Sequence, residues 1–292
     1  MSESPHIDAF FDSATATFSY LLMDPQTRAA AVIDSVLDFE PASGRTRTRS
    51  ADRIRLRAAE LRAEVRWHLE THVHADHLSA APYLKQVLGG EIAIGERVLA
   101  VQETFGRVFN LGSEFARDGR QFDRLLKDGD RIPLGRLTIE VIATPGHTPA
   151  CLSYCLAADG LRHVFVGDTL FMPDYGTARC DFPGGDAATL YRSIQRLLAM
   201  PPETRLYLCH DYPPDGRGPQ YLTTVQAQRE SNIHVGAGVS ETEFAAMRAA
   251  RDATLSMPAL LLPSVQVNMR AGHFPEPEGN GVSYLKLPLN GL

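Results

Sequence analysis

The chain has 292 residues, 44% of them hydrophobic and 22% charged, with a formal net charge of −6. That is enough chain to bury a globular core; the acidic balance offers no basic face to nucleic acid or an anionic membrane, and no run approaches the ~18 consecutive apolar residues of a membrane span. Four cysteines (Cys151, Cys155, Cys180, Cys209) make neither a disulfide framework nor a structural zinc site, and Met1 to Phe10 lacks the basic residues of a targeting signal, so a reducing cytoplasm is the expected compartment.

Phe18 to Met23 and Ala29 to Val36 are apolar runs separated by the turn residues Asp24-Pro25-Gln26-Thr27, which predicts a hairpin. Asp38 to Arg49, rich in Gly, Pro, Ser and Arg, is expected to be a solvated loop in which Arg45, Arg47 and Arg49 alternate with polar residues. Ile54, Ala58, Leu61 and Val65 recur at helical spacing, predicting a helix over 50–65. A short strand at 66–70 runs into Thr71-His72-Val73-His74-Ala75-Asp76-His77. A helix is expected from Ala80 to Leu88, ended by Gly89-Gly90, and then a strand from Glu91 to Ile94. Leu137 to Ala143 reads as a strand ending at Thr144-Pro145-Gly146-His147. Cys151 to Leu156 and His163 to Val166 pair across an Asp159-Gly160 turn, and the second of them ends at Gly167-Asp168-Thr169. Asp186 caps a helix whose Leu190, Ile194, Leu197 and Leu198 share one face. A strand at 206–209 ends at His210-Asp211. A final helix over 241–252 precedes a proline-containing tail, about 253–292, of a single domain spanning 1–292.

The repeated event is a strand that stops and delivers a His or an Asp: His72, His147, Asp168, His210. Rigid strand ends followed by variable loops are a common way to place metal ligands. His72, His74, Asp76 and His77 form H-x-H-x-D-H within six residues, a donor set suited to Zn, Fe or Mn. With G-H-T at His147, G-D-T at Asp168 and the strand-end His210, a metal site is expected. His6, His68, His163, His234 and His273 have no partners at such spacing and read as structural.

These seven residues, in this order, resemble the metallo-β-lactamase superfamily pattern. The resemblance implies an α+β fold, an αββα sandwich of two mixed sheets flanked by helices, with the site at one sheet edge. Two further segments select among that superfamily's reactions. Gly176-Thr177-Ala178-Arg179-Cys180-Asp181-Phe182-Pro183-Gly184-Gly185, leading into Thr189-Leu190-Tyr191, resembles the G-x-x-R-x-D-F-x-x-G…T-L-Y segment of persulfide dioxygenases. His210-Asp211-Tyr212 with the 223–232 stretch resembles that family's H-D-Y region, and Val267-Asn268-Met269-Arg270 its closing A-N-M segment. The Asp38–Arg49 insertion is similar to that of the bacterial subgroup. Cys180 departs from the Thr of better-known members, and the Pro213–Pro219 loop and the C-terminal tail are longer.

The resemblance implies one Fe(II) per chain, held by His72, His147 and Asp168 as a two-histidine, one-carboxylate triad that leaves positions open for a persulfide sulfur and O2. His74, Asp76, His77 and His210 would then be outer partners or a vestigial second metal site. The implied reaction takes glutathione persulfide, O2 and water to glutathione and sulfite, with Arg179 and Tyr212 as catalytic candidates. Arg179, Asp181, Tyr212, Asn268 and Arg270 are the substrate-contact candidates; Arg217 is a weaker one, and Cys180 is either a contact or an inert small side chain. The alternative is a dinuclear zinc glutathione-thioester hydrolase of the glyoxalase II type, which uses the same seven ligands but ordinarily carries a long helical C-terminal domain. A non-enzymatic sensor module would need degraded ligands, and none is missing. A homodimer is compatible with this reading.

Overall fold

The computed structural model describes residues 4–214, 216–236 and 238–291. Met1–Glu3, the start of the segment expected to carry no targeting signal, and Asp215 of the 213–219 loop lie outside the described residues. In chain order the strands and helices are β1 (His6–Asp12), β2 (Thr17–Met23), β3 (Ala29–Ile33), β4 (Val36–Glu40), β5 (Arg45–Arg47), α1 (Arg49–Leu61), β6 (Glu64–Leu69), β7 (Leu78–Ser79), α2 (Ala81–Leu88), β8 (Glu91–Gly95) and α3 (Val98–Val108). There follow β9 (Arg124–Leu126), β10 (Arg131–Leu134), β11 (Leu137–Ala143), β12 (Leu152–Ala158), β13 (Leu161–Phe165), α4 (Ala187–Leu198), β14 (Arg205–Tyr207), β15 (Leu222–Thr224), α5 (Val225–Ser231), α6 (Glu241–Asp252) and α7 (Leu261–Asn268).

Two six-stranded mixed sheets, β1-β2-β3-β6-β8-β9 and β10-β11-β12-β13-β14-β15, stack face to face, and a small sheet β5-β4-β7 flanks them. Side-chain alternation decides which layer each residue joins. Along β2, Phe18, Tyr20 and Leu22 enter the core between the sheets with Trp67, Val141, Tyr154 and Phe165. Leu21 and Met23 point the other way, onto Ile54 and Ala58 of α1. In the second sheet Ile139 and Val141 face inward, while Ile142 and Val164 pack outward on Leu190, Ile194 and Leu197 of α4. Helices outside both sheets complete the αββα sandwich expected of the sequence.

The β2–β3 hairpin is present and antiparallel. Asp24 folds its turn by accepting from the Gln26 amide and the Thr27 hydroxyl. β12 and β13 pair across Asp159-Gly160 as expected. Asp186 caps α4 by accepting from the Thr189 amide, and α6 occupies the expected residues behind a Ser240–Glu243 capping box.

The helix expected over 50–65 ends at Leu61, and Val65 belongs to β6; two larger expectations also need correction. Asp38–Arg49 is not a loop: β4 and β5 form a hairpin in which Asp38 opposes Arg47 and Glu40 opposes Arg45, and β4 also pairs with β7 just beyond the histidine motif. The backbone ladder to β7, and Asp38 accepting from the amide and hydroxyl of Ser50 at the start of α1, supply an order that composition does not reveal. The segment after Asp252 is also only partly a tail. Leu261, Val265, Met269 and Ala271 are buried against α3, and Val267 is buried against α1 and α2; residues 276–291 are mostly exposed. Among the described residues, no helix is long and apolar enough to cross a membrane.

Candidate metal centre and the cavity above it

The strand ends meet at one edge of the sandwich. β6 stops at Leu69 and leads to His72; β11 leads to His147, β13 to Asp168 and β14 to His210. β13 and β14 are parallel and in register, so Asp168 and His210 emerge side by side. The chain turns sharply at two of these ends. Gly146 has φ +141°, and a Cβ there would lie 2.3 Å from Leu190 Cα at the start of α4. Gly167 has φ +50°, and a Cβ there would press on Thr71 beside His72. The glycines of G-H-T and G-D-T are thus required by close approach.

The seven motif residues fall into two groups whose ligand-capable atoms lie within 4.8 Å of one another: His72, His147 and Asp168 in one, and His74, Asp76, His77 and His210 in the other; Asp168, Cys209 and His210, and Asp34, Glu70 and His74, make two further groups. Asp168 Oδ2 lies 3.6 Å from His147 Nε2 and 3.8 Å from His72 Nε2. Its Oδ1 lies 3.4 Å from His210 Nε2, so Asp168 stands between the groups. His72 Nε2, His74 Nδ1, His77 Nε2, His210 Nε2 and Asp168 Oδ1 are all buried without a hydrogen-bond partner. Orphaned buried polar atoms are costly. Five of them, all nitrogen or carboxylate donors converging on one spot, fit a cation.

Outer hydrogen bonds set the tautomers. His147 Nδ1–H donates to the Arg179 carbonyl at 2.7 Å, and His210 Nδ1–H donates to the Ala16 carbonyl at 3.2 Å. Each leaves Nε2 as the lone-pair nitrogen. His72 Nδ1–H donates to Thr71 Oγ1, whose hydroxyl donates to Asp34. His74 Nε2–H donates to the other oxygen of Asp34 at 3.0 Å and lies 3.4 Å from Glu70. Burial and the neighbouring His74 and His147 push the His72 pKa well below the ordinary histidine value, keeping it in the neutral, ligating form. At His210, burial opposes charge, but Asp168 and Asp76 outweigh it and raise the pKa.

Asp34 and Glu70 were missed from sequence. Asp34 follows β3 as a fifth strand-end donor and the second acid among them, the very signal that picked out Asp168. Glu70 immediately precedes the histidine motif and accepts from Ser79 Oγ at 2.6 Å.

A cavity of about 570 Å³ opens over the first group, within the usual range of small-molecule sites. His147, Asp168, Asp76, Phe171, Tyr212 and Arg179 all line it. Tyr212 stacks on His210, with ring centroids 5.7 Å apart. The Arg179 guanidinium is held by both oxygens of Asp181 and by the Ser256 carbonyl, so Asp181, expected as a substrate contact, instead orients Arg179 and is not among the residues lining the cavity.

Other candidates do not reach the cavity. Asn268 lies beneath the histidine motif: its amide donates to the His74 and His77 carbonyls at 2.8 and 2.7 Å and accepts from the Ser79 amide at 2.8 Å. Arg270 stacks on Phe115 at 4.4 Å and donates to the Gln266 carbonyl. Neither lines the space above the metal cluster, because α7 docks on the far side of the motif. Arg217 bridges Asp174 and the buried Asp211, bracing the loop after His210. Cys180 is buried, and burial pushes its thiol up to about 12, which makes it a poor nucleophile.

The metallo-beta-lactamase superfamily model matches residues 16–210. The chain is 62% identical to a probable metallo-hydrolase from Burkholderia pseudomallei, over 98% of this chain and 99% of that one. It is 50% identical to glyoxylase B2 from Dictyostelium discoideum over 100% and 99%, and 30% identical to the mitochondrial persulfide dioxygenase ETHE1 from Homo sapiens over 90% and 87%. The crystal structure of ETHE1 from Myxococcus xanthus matches with a TM-score of 0.71 and 32% identity, over 92% of this chain and 100% of that one. With that fold, that motif order and these relatives, the chain belongs to the metallo-beta-lactamase superfamily and has homologues among its persulfide dioxygenases.

Proposed function

We propose that this protein is a glutathione persulfide dioxygenase working with one Fe(II), held by His72, His147 and Asp168. The observation that carries the reading is the segment Arg179–Asp181, which resembles persulfide dioxygenases in sequence. Its Arg179 lines the cavity beside His147 and Asp168 and holds His147 through its carbonyl. The likeness to ETHE1 proteins, at 30–32% identity over nine-tenths of the chain, supports it. Bound there, iron would supply open positions for a persulfide sulfur and O2. In the net reaction the S–S bond breaks, three S–O bonds form and four electrons pass from the outer sulfur to O2. Glutathione persulfide, O2 and water become glutathione, sulfite and two protons. Arg179 orients its loop and His147, while Tyr212 walls the cavity beside His210.

A second reading has its own support. The His74, Asp76, His77 and His210 group is complete, and more identical relatives carry the names metallo-hydrolase and glyoxylase. A dinuclear zinc hydrolase of a glutathione thioester would use both groups around Asp168. The experiment is elemental analysis of protein purified without added metal, paired with oxygen uptake on glutathione persulfide. The dioxygenase reading expects about one iron per chain, sulfite as product, and loss of both iron and activity in His147→Ala and Asp168→Ala. His74→Ala should keep most of the iron. Two zincs with activity that follows zinc, and thioester hydrolysis without oxygen uptake, would reverse the order of the readings.

A further inference from the structure

We infer that Arg251 anchors a substrate carboxylate, so that the cavity takes an anionic, carboxylate-bearing thiol compound with its sulfur toward His72, His147 and Asp168. The inference rests on a glutathione-type substrate and deepens that reading by naming what grips the end remote from the metal.

Three guanidiniums line the cavity: Arg179, Arg248 and Arg251. Two are already matched by their own carboxylates. Arg179 is paired with Asp181, and the buried Arg248 is paired with Asp252 one turn along α6. Among the described residues, the Arg251 guanidinium has neither an ion pair nor a hydrogen bond; it stands 5.9 Å over the Tyr175 ring. Its charge is the one left for an incoming anion.

The position is rigid. Asp252 accepts from the Cys180 amide at 2.8 Å, and Arg248 donates to the Thr177 carbonyl. These bonds tie the last turn of α6 to the loop that carries Arg179, so Arg251 is presented at the rim by a fixed helix. A continuous aromatic wall leads there from the metal group: His210 on Tyr212, Tyr212 on Tyr175 at 4.9 Å, and Tyr175 under Arg251. A planar guanidinium can take a carboxylate through two parallel hydrogen bonds. The bland role for Arg251 is to complement the dipole at the C-terminal end of α6, and that role makes no distinction between ligands.

The test is calorimetric titration of the metal-loaded protein with glutathione and with glutathione diethyl ester. Both probes carry the thiol, so its contribution cancels in their ratio. Wild type should bind glutathione about tenfold more tightly than the ester. Arg251→Ala should lose that preference, and Arg251→Lys should recover part of it. An Arg251→Ala protein that keeps the wild-type ratio, or a wild type with no preference, overturns the anchor. Oxygen uptake on glutathione persulfide is read separately. If it is absent while the Arg251-dependent preference is present, the dioxygenase reading fails and the carboxylate anchor stands.

Discussion

At Arg179 one residue does two jobs through different atoms. Its carbonyl fixes the tautomer of His147, and its guanidinium is held in place by Asp181 and Ser256. Lysine keeps the charge but cannot copy the two-pronged contact to Asp181. Arg179→Lys is expected to retain full metal occupancy, because the backbone carbonyl survives, yet to lose about tenfold to a hundredfold in kcat/KM, in line with the roughly 1.5–3 kcal/mol of a charged hydrogen bond. Steady-state kinetics on glutathione persulfide with parallel metal analysis checks this; wild-type kinetics would reduce Arg179 to a loop brace. Asp34 teaches a related lesson. It touches no proposed ligand-binding atom, yet it orients His72 through Thr71 and His74 directly. Its importance lies in hydrogen bonds that no spacing rule displays.

At the scale of elements, α7 and the histidine motif form one unit, since Asn268 bonds to three backbone groups of residues 74–79. Asn268→Ala strands two buried carbonyls and a buried amide. It should cost roughly 2–4 kcal/mol and weaken metal retention, measurable by denaturant unfolding and by dialysis against a chelator. Unaltered stability would mean that water replaces the side chain. Where β6 runs beside the end of α2, His68 donates to the Gly89 carbonyl at 2.8 Å, and burial lowers its pKa to about 4. Between the ordinary value near ~6.5 and about 4, the unfolded chain takes a proton that the fold refuses. Stability should therefore fall as pH falls through that window, by about 1.4 kcal/mol per pH unit from this group. His68→Gln keeps a donor for Gly89 and removes the slope. The stability gap between wild type and variant should narrow as pH drops from 6.5 toward 4; a constant gap would show that His68 titrates normally in the fold.

For the whole molecule, the segment after α6 matters most. Leu261, Val265, Val267 and Met269 are fully or nearly fully buried. Each contributes about 1.5–3 kcal/mol through burial, and together that rivals the ~5–15 kcal/mol net stability of a domain. A chain ending at Asp252 should fail to fold, whereas one ending at His273 should keep a cooperative melt and its metal, since most of what it loses is exposed. Circular dichroism of the two truncations decides this; a folded chain ending at Asp252 would make α7 dispensable. The hairpin β4–β5 is a similar case, because its register against β7 ties the insertion to the motif it flanks.

The sequence by itself determined individual strands and helices and singled out the seven donor residues, because periodicity, turn residues and a short-range H-x-H-x-D-H pattern are local; the αββα sandwich followed from the resemblance of those seven residues to the metallo-β-lactamase pattern. It also pointed to the capping of α4 by Asp186, since that contact spans only three residues. Only the tertiary structure decided how those donors group around Asp168, that Asn268 and Arg270 lie behind the motif rather than over it, and that Arg251 is the unmatched cation at the cavity rim. These depend on contacts between residues far apart in the chain, such as the 194 residues separating His74 from Asn268. Such contacts are set by the packing of α6 and α7 on the sheets, and no local periodicity records them.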